Sequence, residues 1–198
     1  MLGVQICDPK SEIMWNKDQM IKTKHLIIHQ ATIDLARAEI EDRDKFSALL
    51  KADVPDNWPP KILSDALTWF LQQLETNHDS QGWFGWYVLY SNKTLPQPTL
   101  VGSIGFKGPP QKDNTVEIGY SLLPQFQGKG YATEMINGLV HWAFSHAEVS
   151  RIIAKTTPDN IPSVRVLEKT GFTPLGKGNE TTGVLYELRR EFVVQRQT

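Results

Sequence analysis

Pro124-Gln125-Phe126-Gln127-Gly128-Lys129-Gly130-Tyr131-Ala132 joins an apolar strand pattern to an apolar helix pattern, with no room between them for a long loop. Before it, Thr115 to Leu123 alternates: Val116, Ile118, Tyr120 and Leu122 fall on one face, Glu117, Gly119, Ser121 and Leu123 on the other. After it, Ala132, Met135, Ile136, Leu139, Val140, Ala143 and Phe144 recur at i, i+3, i+4 spacing, leaving Glu134, Asn137, Gly138 and His141 toward water. A helix N-terminus presents free N–H groups and the positive end of its dipole, and glycines admit an anion where a Cβ would block it. The stretch therefore reads as a phosphate cradle, with Lys129 adding a mobile positive charge.

Two better-known phosphate loops fail here. A P-loop needs glycine and Ser or Thr where Leu123 and Gly130 stand, and a dinucleotide fingerprint needs a third glycine in place of Thr133. Gln125-x-x-Gly128-x-Gly130 instead resembles the acetyl-CoA pyrophosphate loop of the GNAT superfamily of N-acetyltransferases. The flanks strengthen that resemblance. Asn160 can cap the helix that follows it, with Ser163 at the N3 position, and Gly171 suits the left-handed C-terminal position with Phe172 packing back. The run from Asn160 through Ser163, Arg165, Leu167, Glu168 and Lys169 to Gly171-Phe172 resembles the family's second cofactor segment, in which the asparagine bonds the pantetheine arm. Glu117-Ile118-Gly119-Tyr120, Gly128 to Thr133 and Glu168 to Phe172 look closest to the branch of ribosomal-protein N-terminal acetyltransferases.

The resemblance implies an α/β (α+β) domain of the GNAT fold, with a mixed, mostly antiparallel sheet splayed at the cofactor site and flanked by helices. It also implies acetyl-CoA as co-substrate and cofactor contacts from Leu122, Leu123, Gln125, Gln127, Gly128, Lys129, Gly130, Tyr131, Ala132, Asn160 and Arg165. Acetyl transfer needs a group to accept the amine's proton, and Glu117, on the strand entering the cradle, is the expected base; an ion-pair partner is its plainer role. Many members protonate the departing thiolate with a tyrosine seven residues after the asparagine, but that position is Leu167. Ser163 near a helix N-terminus is the expected replacement, or simply the N3 residue of a capped helix. The expectation is direct transfer in a ternary complex to a small amine or a protein N-terminus. A CoA-binding module without turnover is the alternative.

Composition sets the remaining bounds. The 198 residues suit one domain, and 21 Lys plus Arg against 22 Asp plus Glu argue against a nucleic-acid binder. The lone Cys7 cannot form an internal disulfide, and no leader or long apolar run is evident. The expectation is a cytoplasmic protein with no metal and no membrane segment, in which the Asn92 and Asn179 sequons are chance; its aromatic strands allow a homodimer. Residues 1–22 read as an extension and 23–198 as the acetyltransferase domain. Within it, Lys24 to Gln30 reads as the first strand, Thr32 to Glu41 and Asp42 to Lys51 as short helices, and Pro60 to Asn77 as one longer helix. Gly82 to Tyr90, Thr99 to Phe106 and Thr115 to Leu123 make an antiparallel meander. Arg151 to Thr157 and Gly183 to Arg189 are further strands. Trp58, Trp83 and Trp86 belong to the core or to an acceptor pocket.

Overall fold

The structure, a computed structural model, describes residues 19–92, 94–177 and 183–194. Residues 1–18, with Cys7 and most of the expected extension, and the sequon at Asn179 lie outside the described residues. One eight-stranded sheet carries the fold: β1 (Met20–Lys22), β2 (Leu26–Gln30), β3 (Gly85–Tyr90), β4 (Thr99–Phe106), β5 (Thr115–Leu122), β6 (Arg151–Thr156), β7 (Thr173–Lys177) and β8 (Val184–Arg189), in the order β1-β2-β3-β4-β5-β6-β8-β7. Every neighbouring pair is antiparallel except β5 and β6, which run parallel because a helix crosses over between them.

Helices cover both faces. The first face carries α5 (Tyr131–Ser145) and α6 (Ile161–Lys169). From α5 the residues Met135, Ile136, Leu139, Val140, Ala143 and Phe144 are buried against Ile28, Trp86, Ile104, Ile118 and Ile152. Each large side chain buried this way contributes roughly 1.5–3 kcal/mol. On the second face lie α1 (Ile33–Glu41), α2 (Arg43–Leu50), α3 (Lys61–Ser64) and α4 (Leu67–Thr76), whose core joins Leu35, Phe46, Leu50 and Leu74 to Phe84, Tyr87, Leu100 and Leu123. Covered on both sides, β3 and β4 are almost continuously apolar, and β5 alternates as its sequence predicts. α7 (Arg190–Val194) follows β8.

Several elements differ from the sequence expectation. Met20–Lys22, inside the expected extension, is an edge strand of the sheet. Glu134 does not face water: it accepts from the Thr23 hydroxyl at 2.5 Å and the His25 N–H at 2.6 Å, and pairs with the His25 ring. That clamp, with Gly138 against Ile28 and Thr23, seats the β1–β2 hairpin on α5. The Pro60–Asn77 helix is broken at Asp65–Ala66, where the Ser64 hydroxyl bonds the Lys61 carbonyl and the Ala66 N–H turns to Leu63 in a tighter, i→i−3 bond. Gly82 and Trp83 sit in a short 3-10 stretch (His78–Trp83) instead of in β3. β7 has no strand period in sequence; its Pro174 is tolerated because β7 is an edge strand.

Arg190, at the start of α7, donates to the carbonyl of Phe144 (2.6 Å) in the last turn of α5 and to those of His146 and Val149 just beyond it. Arg190→Met keeps the apolar stem and removes these charge-assisted bonds, and should cost about 2–3 kcal/mol in a urea unfolding titration with an unchanged slope.

Candidate functional site

The site begins where β5 and β6 part. Their parallel pairing runs from Thr115 opposite Arg151 to Ile118 opposite Ala154 and stops. β4 continues beside β5 as far as Leu122, and β8 beside β6 as far as Thr156, so the two halves of the sheet diverge like a fork. Gly119 is the first residue past the fork, and a Cβ there would meet nothing within 4 Å. A cavity of about 530 Å³ fills the opening, lined by β4 and β5 residues, by Lys155 and Thr156 of β6, by Asn160 and Ser163, and by α1, α3 and α4. It therefore reaches both faces of the sheet.

On the α6 face, Tyr120 and Ser163 meet with 2.8 Å between their hydroxyl oxygens. Burial raises the Tyr120 pKa, and the Ser163 bond offsets this in part. Asn160 caps α6 by accepting the Ser163 N–H at 3.3 Å, as its sequence predicts; that bond uses only the side-chain oxygen and leaves the amide NH₂ for a ligand. The Thr156 hydroxyl is buried with no partner among the described residues, and Thr156 lines the cavity. An orphaned hydroxyl beside an open strand edge suits a ligand that carries amide groups.

The cradle lies at the start of α5. Gly128 (φ +73°) and Gly130 (φ +86°) both hold left-handed backbone that other residues adopt at a cost, and a Cβ on either would meet nothing within 4 Å. Among the described residues no side chain caps α5, which leaves the N–H groups of its first turn open. Gln127 donates to the Leu122 carbonyl at 2.9 Å and ties the loop back to β5, while Gln125 makes a reciprocal amide pair with Asn57, 3.1 Å each way. The Lys129 ammonium stands 5.5 Å from the Phe126 ring centre, and Tyr131 packs on Tyr90. Leu122 and Leu123 are buried at the end of β5, Ala132 is half-buried in the first turn of α5, and Arg165 is exposed on α6. An open glycine cradle at an uncapped helix N-terminus and an open strand edge fit a pyrophosphate joined to a pantetheine arm.

Glu117 sits below the fork. Lys107 bonds one of its oxygens and Lys155, at 2.8 Å, the other, and Glu117 does not line the cavity. Burial alone would raise its pKa, but the two lysines together outweigh burial and hold it below the ordinary carboxylate value. His25, one of two histidines in the first strand pattern, is engaged by Glu134. Among the described residues no group of three or more His, Cys, Asp or Glu side chains could hold a metal.

On the α1–α4 face the cavity holds a residue that sequence reading missed. Glu39 of α1 accepts from the Trp58 indole N–H at 2.8 Å and from the Tyr87 hydroxyl at 2.6 Å, one donor to each oxygen. Burial pushes its pKa up to about 7, although both hydrogen bonds favour the charged form. Burial, then the Glu39 charge, raises Tyr87 well above its usual value in turn. The signal was available: Glu39 lies at i+4 from Leu35 and next to Ala38, on the inward stripe of an otherwise conventional amphipathic helix. Trp58 serves this carboxylate, Trp86 lines the cavity, and Trp83 packs against Phe106 and Trp142.

A strand, an open glycine turn and a helix beside a forked sheet define an acyl-CoA-type cofactor site. The sequence matches the acetyltransferase (GNAT) domain over residues 33–173. It is 30% identical over 143 residues to the uncharacterized N-acetyltransferase YjdG of Bacillus subtilis, covering 71% of this chain and 83% of that protein. It is 27% identical over 116 residues to the ribosomal-protein-serine acetyltransferase of Escherichia coli, covering 59% of this chain and 62% of the relative. The microcin C7 self-immunity acetyltransferase MccE, solved with acetyl-CoA and AMP, superposes with a TM-score of 0.57 at 20% identity, over 84% of this chain and 93% of that one. The chain belongs to the GNAT acetyltransferase family. It is an acyl-CoA-dependent N-acetyltransferase. Among the described residues no helix is long and apolar enough to cross a membrane.

Because Glu39 holds its proton more tightly folded than unfolded, its contribution to stability is fully present below pH 4.5 and is lost as pH rises through about 7. Glu39→Gln removes that dependence. Relative to the native chain, the variant should gain on the order of 3 kcal/mol between pH 5 and pH 8, since each tenfold change in proton affinity is worth about 1.4 kcal/mol; paired urea titrations read the difference.

Proposed function

We propose that the protein moves the acetyl group of acetyl-CoA directly to a primary amine, with both substrates bound at once. The observation that supports this most is the cavity that passes through the β5–β6 fork, with Tyr120, Asn160 and Ser163 toward one face and Glu39 toward the other. Two substrates can meet there without an acyl-enzyme. Acetyl-CoA, when bound, supplies the thioester; the chain's residues bind, orient and move protons.

In this reading the N–H groups from Gly128 to Ala132 hold the pyrophosphate. Lys129 and Arg165, both exposed, reach outlying phosphates. The open edge of β5 up to Leu122 and Leu123 pairs with the pantetheine amides, and the Asn160 NH₂ bonds a pantetheine carbonyl. Gln127 shapes the loop, Gln125 braces it against Asn57, and Tyr131 and Ala132 form its floor. Tyr120 and Ser163 together protonate the departing sulfur. The phenol, the more acidic of the two, comes from β5 and does the work of the tyrosine absent at Leu167. Glu117, gripped by Lys107 and Lys155, acts as a clamp at the fork instead of the base expected from sequence. The acceptor is a small amine or a protein N-terminus, the latter favoured by the likeness to the Escherichia coli ribosomal-protein-serine acetyltransferase.

Two experiments test the reading. In calorimetry the native chain should bind acetyl-CoA, and a Gly128→Val, Gly130→Val variant should not, while still melting cooperatively after a strain of about 1–3 kcal/mol per site. Native protein that fails to bind sinks the proposal. Tyr120→Phe should lower kcat about 10–100-fold with little change in the KM for acetyl-CoA, and adding Ser163→Ala should cost much less than its separate effect, because the two hydroxyls act as a unit.

A further inference from the structure

Among the described residues that line the cavity between 31 and 77, every one is apolar except Glu39, and no other acid lines it. Leu63, Leu67 and Phe70 of the α3–α4 segment and Ala36 of α1 form the wall around it. The other two charged lining residues, Lys107 and Lys155, are engaged by Glu117. Both Glu39 oxygens already accept from neutral donors, which fixes the carboxylate in place; each oxygen keeps a further lone pair, and Glu39 lines the cavity. Resting on the acetyltransferase reading above, we propose that Glu39 binds and deprotonates the acceptor's ammonium, and that the acceptor is a primary amine carried on an apolar alkyl or aryl body.

The chemistry is one of exclusion as much as attraction. A second ammonium, a carboxylate or a phosphate on the acceptor's body would lie against an apolar wall that offers it no partner. One ammonium finds one carboxylate. A carboxylate whose pKa lies near 7 is a far better proton acceptor than an ordinary glutamate, and its position across the fork from Tyr120 and Ser163 separates the two proton transfers. The ammonium gives a proton to Glu39; the nitrogen lone pair then forms the N–C bond as the C–S bond breaks. The sulfur takes a proton from the Tyr120–Ser163 pair, the nitrogen's surplus proton restores that pair through water, and Glu39 releases its own to solvent. The sum is ammonium plus acetyl thioester giving amide, thiol and one proton. The same head and body occur in a free amine and in a peptide whose first side chain is apolar.

The test is a thiol-release assay with mass-spectrometric product identification, using acetyl-CoA and the full chain. 2-Phenylethylamine and hexylamine are set against ethanolamine and putrescine, and a peptide beginning with Phe against one beginning with Asp. Apolar acceptors should exceed polar ones at least tenfold in kcat/KM; turnover of the free amines alone, or of the Phe peptide alone, identifies the source. Glu39→Gln should lower kcat/KM for the preferred acceptor at least a hundredfold at pH 7 with unchanged acetyl-CoA affinity. The defect should shrink for the β,β-difluoro analogue of that acceptor, whose amine is less basic, an effect that a merely structural role would not produce. Leu67→Lys, a wall substitution, should lower kcat/KM for the apolar acceptor at least tenfold while leaving acetyl-CoA affinity intact. Turnover confined to ethanolamine, putrescine or the Asp peptide, or a Glu39→Gln enzyme within twofold of native, overturns this inference and leaves the acetyltransferase reading standing. Failure of the native chain to bind acetyl-CoA overturns both.

Discussion

The parting of β5 from β6 after Ile118 and Ala154 is the constraint on which the rest depends. A strand edge beyond its last pair presents N–H and C=O groups that need partners, and at the fork the neighbouring strand has moved out of reach. The two sheet halves stay closed below the fork because β4 to β6 are laced there, with Glu117 drawing Lys107 and Lys155 together. They stay open above it because each half is tied to a different neighbour: β5 to β4 and β6 to β8. The loop after β5 then turns into α5 with its first N–H groups uncapped. An amide-bearing arm ending in a pyrophosphate matches both features, so the fork and the cradle are one device.

Period-two alternation along β5 divides the chemistry between the two faces. Tyr120 points with Val116 and Ile118 toward α6 and meets Ser163. Gly119 and Ser121 point the other way, toward the helices that carry Glu39. The Tyr120 and Ser163 hydroxyls therefore lie on one side of the fork, and the Glu39 carboxylate on the other. That arrangement has a cost. A carboxyl whose pKa stands near 7 is destabilising when ionised, and the Trp58 and Tyr87 donors reduce but do not remove the penalty. Strain and buried polarity retained at such a place are characteristic of functional sites.

What could be read from residues alone was whatever depends on local rules. Strand β5, the glycine turn, α5, the Asn160 cap with Ser163 at N3 and the antiparallel meander all follow from periodicity, capping and turn chemistry within a few residues. β7 was hidden because its Pro174 and Gly176 contradict strand propensity, and pairing with β8 overrides that. The break before α4 was hidden because Ser64 and Asp65 fit a helix interior by pattern and leave it by side-chain bonding. The N-terminal strand was hidden because three residues carry no period.

The sequence by itself determined the class of fold and the open glycine turn at the start of α5, since a helix N-terminus and its glycines are built from consecutive residues. Only the tertiary structure decided the surroundings of the titratable groups. Glu117 is a plausible base on its strand, yet two lysines 10 and 38 residues away in sequence make it a poor one. Tyr120 and Ser163 are 43 positions apart, and Glu39 and Tyr87 48; each pair touches because the sheet brings β5 to α6 and β3 to α1. A pKa is set by burial and by partners remote in the chain, and neither is a local property.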